Sequence, residues 1–259
     1  MIFTKRSELG KLYRKGVEIM NNIELVNKAK NIAESYKTAY VWGAFGFTAT
    51  AANMQRLIDQ YSKNNQYLAK ARQIYGNGFF FDCVGLIKSI LWGFSGNKNA
   101  TYGGAKYATN GVPDISADQM IKCCKEVSTD FKNIEVGEVV WLSGHIGIYI
   151  GGGKVVEATP AWSGGVQISD ISTSGKRTKN GVGTAVWKKH GKLPYITYEK
   201  ATAKKLESGN DIVWELMNGK HKIEISEVQR AVNALDKAKN NPEFMSLYWI
   251  LYKLVNGNG

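Results

Sequence analysis

Cys83 opens an apolar stretch in which Val84, Ile87, Leu91 and Phe94 recur at helical spacing, with Gly96 just beyond. A cysteine attacks only as its thiolate, and an ordinary pKa of about 8.5 leaves little of it ionised at neutral pH. A helix starting just after Asp82 would set the sulfur among free backbone N–H groups, which favour negative charge and could also receive an oxyanion. The chemistry then needs an imidazole within reach, to take the thiol proton and later hand it to a leaving amine. The chain has three histidines, His145, His190 and His221. His145 is best placed, because it begins HIGIYIG, where Ile146, Ile148 and Ile150 point to one face and His145, Gly147 and Tyr149 to the other. Gly147 is expected to leave room beside the imidazole. If the following turn centres on Gly152, His145 pairs with Thr159 and Gly147 with Glu157, so Glu157 lies diagonally beside His145 on one face. A different centre would put them on opposite faces.

The elements that must hold these groups fall into two runs. Residues 23–36 place Ile23, Val26, Ala29, Ala33 and Tyr36 at helical spacing and lead into the turn-like YVWGAFG at 40–46. Residues 50–74 again read as helical and are broken by Gly76, Asn77 and Gly78. The apolar FFFDCVGLIKSILWGF at 79–94 reads as a buried helix starting at the cysteine, residues 97–113 as an irregular loop, and Ser116 as the cap of a helix running to about 127. The period then changes, and short strands are expected at 138–142, 145–150, 154–159, 166–169 and 183–188, with Gly151, Gly152 and Gly153 as a hairpin turn. Helices first and an antiparallel sheet after them give an α+β fold class. Past KLPYITY the composition becomes charged, so residues 1–198 are read as one domain and 199–259 as a small module of three helices, a candidate binding element.

Composition limits the function classes. With 44% hydrophobic residues and four prolines the chain is globular. No apolar run approaches the roughly 18 residues that span a bilayer, and the opening lacks a signal-peptide core, so synthesis in the cytoplasm and no membrane insertion are expected. Three cysteines, two of them adjacent at Cys123 and Cys124, form no disulfide framework, and without nearby histidines they suggest no metal site. The net charge is +12, and residues 171–222 hold 11 basic against 4 acidic residues. Such a balance suits anionic polymers, and no zinc-finger, RNA-recognition or helix-turn-helix signature points to nucleic acid.

The strings YVWG, FDCVGLI, VGEVVWL and HIGIYIGGGKVVEA, in this order, resemble the NlpC-type family of papain-like cell-wall peptidases. The resemblance covers about residues 23–198 and implies a papain-like domain that cleaves peptidoglycan through a thioester, without metal or cofactor. It maps the catalytic triad onto Cys83, His145 and Glu157. Tyr40 and Asp82 match residues that bind the free amino end of the peptide in some members, and Trp42, Thr159 and Trp162 complete the expected substrate-binding set, with Thr159 the alternative partner of His145. Glu157 stands where the family usually has His, Asn or Gln, and a carboxylate there would hold the imidazolium more strongly. Val84 replaces the usual Ser, Ala44 the second Gly of the first motif, and the insertion at 45–80 is long. GVPDISADQM, EATPAW and KLPYITY also resemble phage endolysins, which implies release to the wall through a holin. The implied bond lies between D-Glu and the diamino acid of the stem peptide. An amidase cutting before L-Ala, an acyltransferase and a silent wall-binding protein are the alternatives.

Overall fold

The computed structural model describes residues 13–14, 17–65 and 68–198, so the module read at 199–259 and His221 lie outside the described residues. A two-residue hairpin, β1 (Tyr13–Arg14) with β2 (Val17–Glu18), precedes α1 (Asn22–Ser35). Asn21 caps α1, its side chain accepting from the Glu24 N–H while Glu24 reaches back to the Asn21 N–H. The helix buries Leu25, Val26, Ala29 and Ile32, while Ile23, expected on the inner face, is 39% exposed.

Three strands missing from the sequence reading follow. β3 (Lys37–Tyr40) pairs in parallel with β5 (Gly78–Phe81), and β4 (Phe45–Thr48) pairs with β5 from the other side, antiparallel. Phe79, Phe80 and Phe81 form the central strand and are all fully buried, which explains their unbroken apolar run; periodicity cannot distinguish such a run from a buried helix. The expected long helix at 50–74 is instead α2 (Ala51–Gln60), capped by Thr50, and the single turn α3 (Ala69–Arg72).

α4 (Cys83–Leu91) starts at the cysteine as expected and is buried on every side, packing against α1, β4 and the main sheet. α5 (Ala117–Cys123) has the expected Ser116 cap, reinforced by Gln119, but ends at Cys123 instead of near 127, because the chain turns into β6 (Lys125–Ser128). After a short 3₁₀ turn come β7 (Val139–Leu142), β8 (His145–Gly151), β9 (Lys154–Thr159), β10 (Gly165–Ile171), β11 (Lys176–Lys179), β12 (Val182–Val186) and β13 (Lys189–Lys192). They form one antiparallel sheet in the order β12-β11-β10-β9-β8-β7-β13-β6. The fold is the expected α+β, with α1 and α4 laid on the sheet. No described helix is long and apolar enough to cross a membrane.

Candidate active site

The β8–β9 hairpin pairs Ile148 with Val156 and Tyr149 with Val155, the register a turn centred on Gly152 requires. Glu157 therefore lies beside His145, and Nε2 of His145 and Oε2 of Glu157 are 2.6 Å apart. The glycine at 147 serves a different purpose from the one expected: a Cβ there would meet Val155 at 2.6 Å and Glu157 at 3.3 Å, so it makes room for β9 and not for the imidazole. Trp187 lies nearly parallel to the His145 ring, with centroids 5.3 Å apart and planes 15° apart. The ring is thus fixed on one face by stacking and at one nitrogen by a carboxylate.

Glu157 is fully buried, and Arg177 on β11 answers its charge. Arg177 Nε donates to both carboxylate oxygens at 2.9 Å, and Nη2 donates to Oε2 at 2.5 Å and to Thr159 Oγ1 at 3.0 Å. Ser169 on β10 donates to the other carboxylate oxygen. Burial alone would push the Glu157 carboxyl up, but the hydrogen bonds and charges of His145 and Arg177 carry it below the usual carboxylate range. The guanidinium sits 4.3 Å from the ring centroid of Trp162. Thr159 and Trp162 therefore contact Arg177, and neither lines the cavity described below.

Arg177, Ser169 and Trp187 are absent from the sequence reading. The signal that could have found β11 is Asn180–Gly181, whose positive φ values of 51° and 77° form the tight hairpin turn that this dipeptide favours. Arg177 belongs to the basic stretch at 171–222, yet it is 6% exposed; Lys192 of the same stretch pairs with Glu126 and Glu135. His190 is a structural histidine, its Nδ1 against Glu138 and its Nε2 against the Asp130 carbonyl.

Cys83 lies at the first turn of α4, and Asp82 is the N-cap. The Asp82 carboxylate accepts from Gly85 N–H at 2.6 Å and from Gly43 N–H at 2.8 Å, so it ties the YVWG turn to the start of the helix. Gly85 is required there, since a Cβ would fall 2.1 Å from the Ala44 carbonyl oxygen. Across from α4, Asp118 accepts from Trp141 Nε1 and Gly144 N–H, both at 2.8 Å, and fixes the β7–β8 turn. That turn brings the Gly144 carbonyl to 3.8 Å from Cys83 Sγ, with His145 the next residue.

The thiol is not in the state expected of a helix start. Burial, and then the Asp82 carboxylate, push it up to about 12, against the opposing backbone N–H groups of Ile146, Val84 and Cys83. The helix-start amides offset only part of the desolvation, so the balance favours the protonated thiol. Burial also raises Tyr40, with the nearby Cys83 and Asp82 adding to the effect, and burial raises Asp82.

Cys83, Tyr40, Trp42 and Asp82 line a cavity of about 570 Å³, together with Gly144. Trp42 is 39% exposed, so it is a wall of the cavity and not a core aromatic. The long insertion and the 97–113 loop add Phe47, Arg56, Tyr61, Tyr102 and Tyr107 to the wall, and residues 114–118 close another part of it. The cavity reaches the Cys83 thiol and the Gly144 backbone, and the residue after Gly144 is His145, whose imidazole a buried carboxylate orients.

No curated protein matches the chain significantly. The family model described as NlpC/P60 matches residues 37–182, which run from β3 to the start of β12 and take in Tyr40, Cys83, His145, Glu157 and Arg177. With that match over more than half of its length, the chain belongs to the NlpC/P60 family of cysteine peptidases that act on peptidoglycan.

Proposed function

We propose that the protein hydrolyses an amide bond of the peptidoglycan stem peptide, between D-Glu and the diamino acid, with Cys83 as nucleophile, His145 as base and Glu157 as the group that orients His145. The observation that carries this reading is the contact of His145 Nε2 with a buried, charge-balanced carboxylate, which leaves Nδ1 as the nitrogen to serve the sulfur. Because the resting sulfur is a neutral thiol, His145 acts first as general base. It takes the thiol proton as sulfur attacks the carbonyl carbon, and the backbone N–H groups at the start of α4 receive the oxyanion. His145 then protonates the leaving amine and the C–N bond breaks. Water adds to the thioester, giving its proton to His145, and the acid leaves as the thiol is restored.

Tyr40, Trp42 and Asp82 are the candidates for holding the peptide, since they line the cavity with Cys83. Thr159 and Trp162 act on this reading through Arg177 and not on the substrate. The resemblance to phage endolysins supports a lytic role, with delivery to the wall through a holin. Exposed lysines of the basic stretch, Lys176, Lys188 and Lys189, would favour anionic wall polymers. Zymography on isolated walls tests the nucleophile: Cys83→Ala is expected to give no clearing, and clearing equal to wild type would end the assignment. Mass spectrometry of the released fragments tests the bond, since a new amino group on the diamino acid is expected, and one on L-Ala would identify an amidase.

A further inference from the structure

Charged side chains around the cavity are nearly all matched. Asp82 accepts two backbone N–H groups, Lys88 pairs with Asp114, which also takes the Tyr107 hydroxyl, and Asp118 holds Trp141 and Gly144. Arg56 is different. It lines the same cavity from α2, and among the described residues no carboxylate pairs with it. Its guanidinium lies 5.6 Å from the centroid of Phe47 and 5.9 Å from that of Tyr102, and Nη1 donates to the Tyr102 hydroxyl at 3.1 Å.

The two rings and the hydroxyl restrict the fork, while its remaining N–H groups are left for a ligand. A guanidinium pre-oriented by aromatic faces recognises a planar anion, and a carboxylate matches its paired donors best. α2 is a firm support, since Thr50 caps it and Met54 and Leu57 bury its inner face.

We propose that Arg56 is the recognition point for a free carboxylate on the peptide whose carbonyl is presented to Cys83. On this view the insertion at 45–80 and the 97–113 loop together form an anion-reading wall of the substrate cavity. The inference rests on the reading of the site as a stem-peptide hydrolase, which supplies a candidate group in the α-carboxylate of a γ-linked D-Glu.

The test uses the full chain carrying Cys83→Ala, so that binding is read without turnover, and two synthetic stem peptides that differ only in a free α-carboxyl or an α-carboxamide on D-Glu. Calorimetry is expected to give about tenfold tighter binding of the free acid, the scale of one charge-assisted pair at a partly open site. Adding Arg56→Gln, a change on an exposed helix face, should abolish the difference, with an unaltered melting curve to exclude misfolding. Equal binding of the two peptides to Cys83→Ala, binding of neither, or a preference that persists in Arg56→Gln overturns the proposal. Hydrolysis by the wild-type chain is scored separately: a carboxylate preference without cleavage would sink the proposed reaction and leave Arg56 its role.

Discussion

Glu157 and Arg177 are both buried, at 0% and 6% exposure, and joined by three N–H···O contacts of 2.5–2.9 Å. Removing one charge from such a pair leaves the other desolvated and unanswered, at a cost of about 3–5 kcal/mol. Glu157→Gln is therefore expected to lower the melting temperature by about 10 °C, at about 2–4 °C per kcal/mol for a domain of this size, and Arg177→Met should do comparable damage. Removing both charges together avoids the stranded ion, so the double variant should lose about 3 kcal/mol less than the two single losses combined. Activity should follow the same order for a geometric reason. In Glu157→Gln the buried Arg177 draws the amide oxygen to itself and turns the NH₂ toward His145. In Glu157→Gln/Arg177→Met the oxygen is free to accept from His145 Nε2, as a neutral amide would in the family members that carry Gln there. The four proteins, melted and assayed on one wall preparation, decide the matter. Additive melting losses, or a double variant no more active than Glu157→Gln, would refute the reasoning.

The neutral state of the Cys83 thiol predicts an order of alkylation at neutral pH: exposed Cys123 should react first with iodoacetamide, while Cys83 and Cys124, both pushed up to about 12 by burial, lag behind. Peptide mapping over time reads that order, and Cys83 reacting first would show a resting thiolate instead. Glu157 also predicts an acid dependence. Its folded pKa is lowered, so its stabilising contribution is fully present above its ordinary value of 4.5 and is lost as pH falls through the folded value. Urea midpoints should therefore fall below about pH 4.5 more steeply for the wild type than for Glu157→Gln/Arg177→Met, and equal slopes would remove Glu157 from the account.

The sequence was most legible where a local rule settles the geometry. Strand β9 runs over the expected 154–159, and the three-glycine turn fixed the register that sets Glu157 beside His145. The cap residues Asp82 and Ser116 likewise declare their helices through donors three residues on, at Gly85 and Gln119. What escaped is what only tertiary packing decides. The strand KRTK of β11 has no alternation of apolar and polar residues, and its inward residue is an arginine whose partner lies twenty positions back. A cation in a polar run reads as solvated until the strand that buries it is known. The thiol shows the same limit from the other direction: the helix start and the adjacent Asp82 were legible, but the burial that outweighs the helix-start amides comes from packing that only the fold supplies.

These two misreadings share a physical basis in how the site handles charge. On the sheet side the carboxylate behind His145 is answered by Arg177, so the imidazole is oriented by an acid whose own charge is already balanced. On the cavity side Asp82 is answered by two backbone amides and Lys88 by Asp114, while Cys83 is held uncharged. Among the described residues, the charged side chains that line the cavity are thus met, apart from Arg56. On the proposed mechanism the thiol gives up its proton as a carbonyl is presented to it, so docking of the peptide precedes charge formation at the sulfur. A ligand that also carried an anion to Arg56 would complete the remaining unmatched charge as it docked. Binding and activation would then be one event, so losing the Arg56 contact should weaken peptide capture, while losing Arg177 should impair proton transfer in peptide that is already bound.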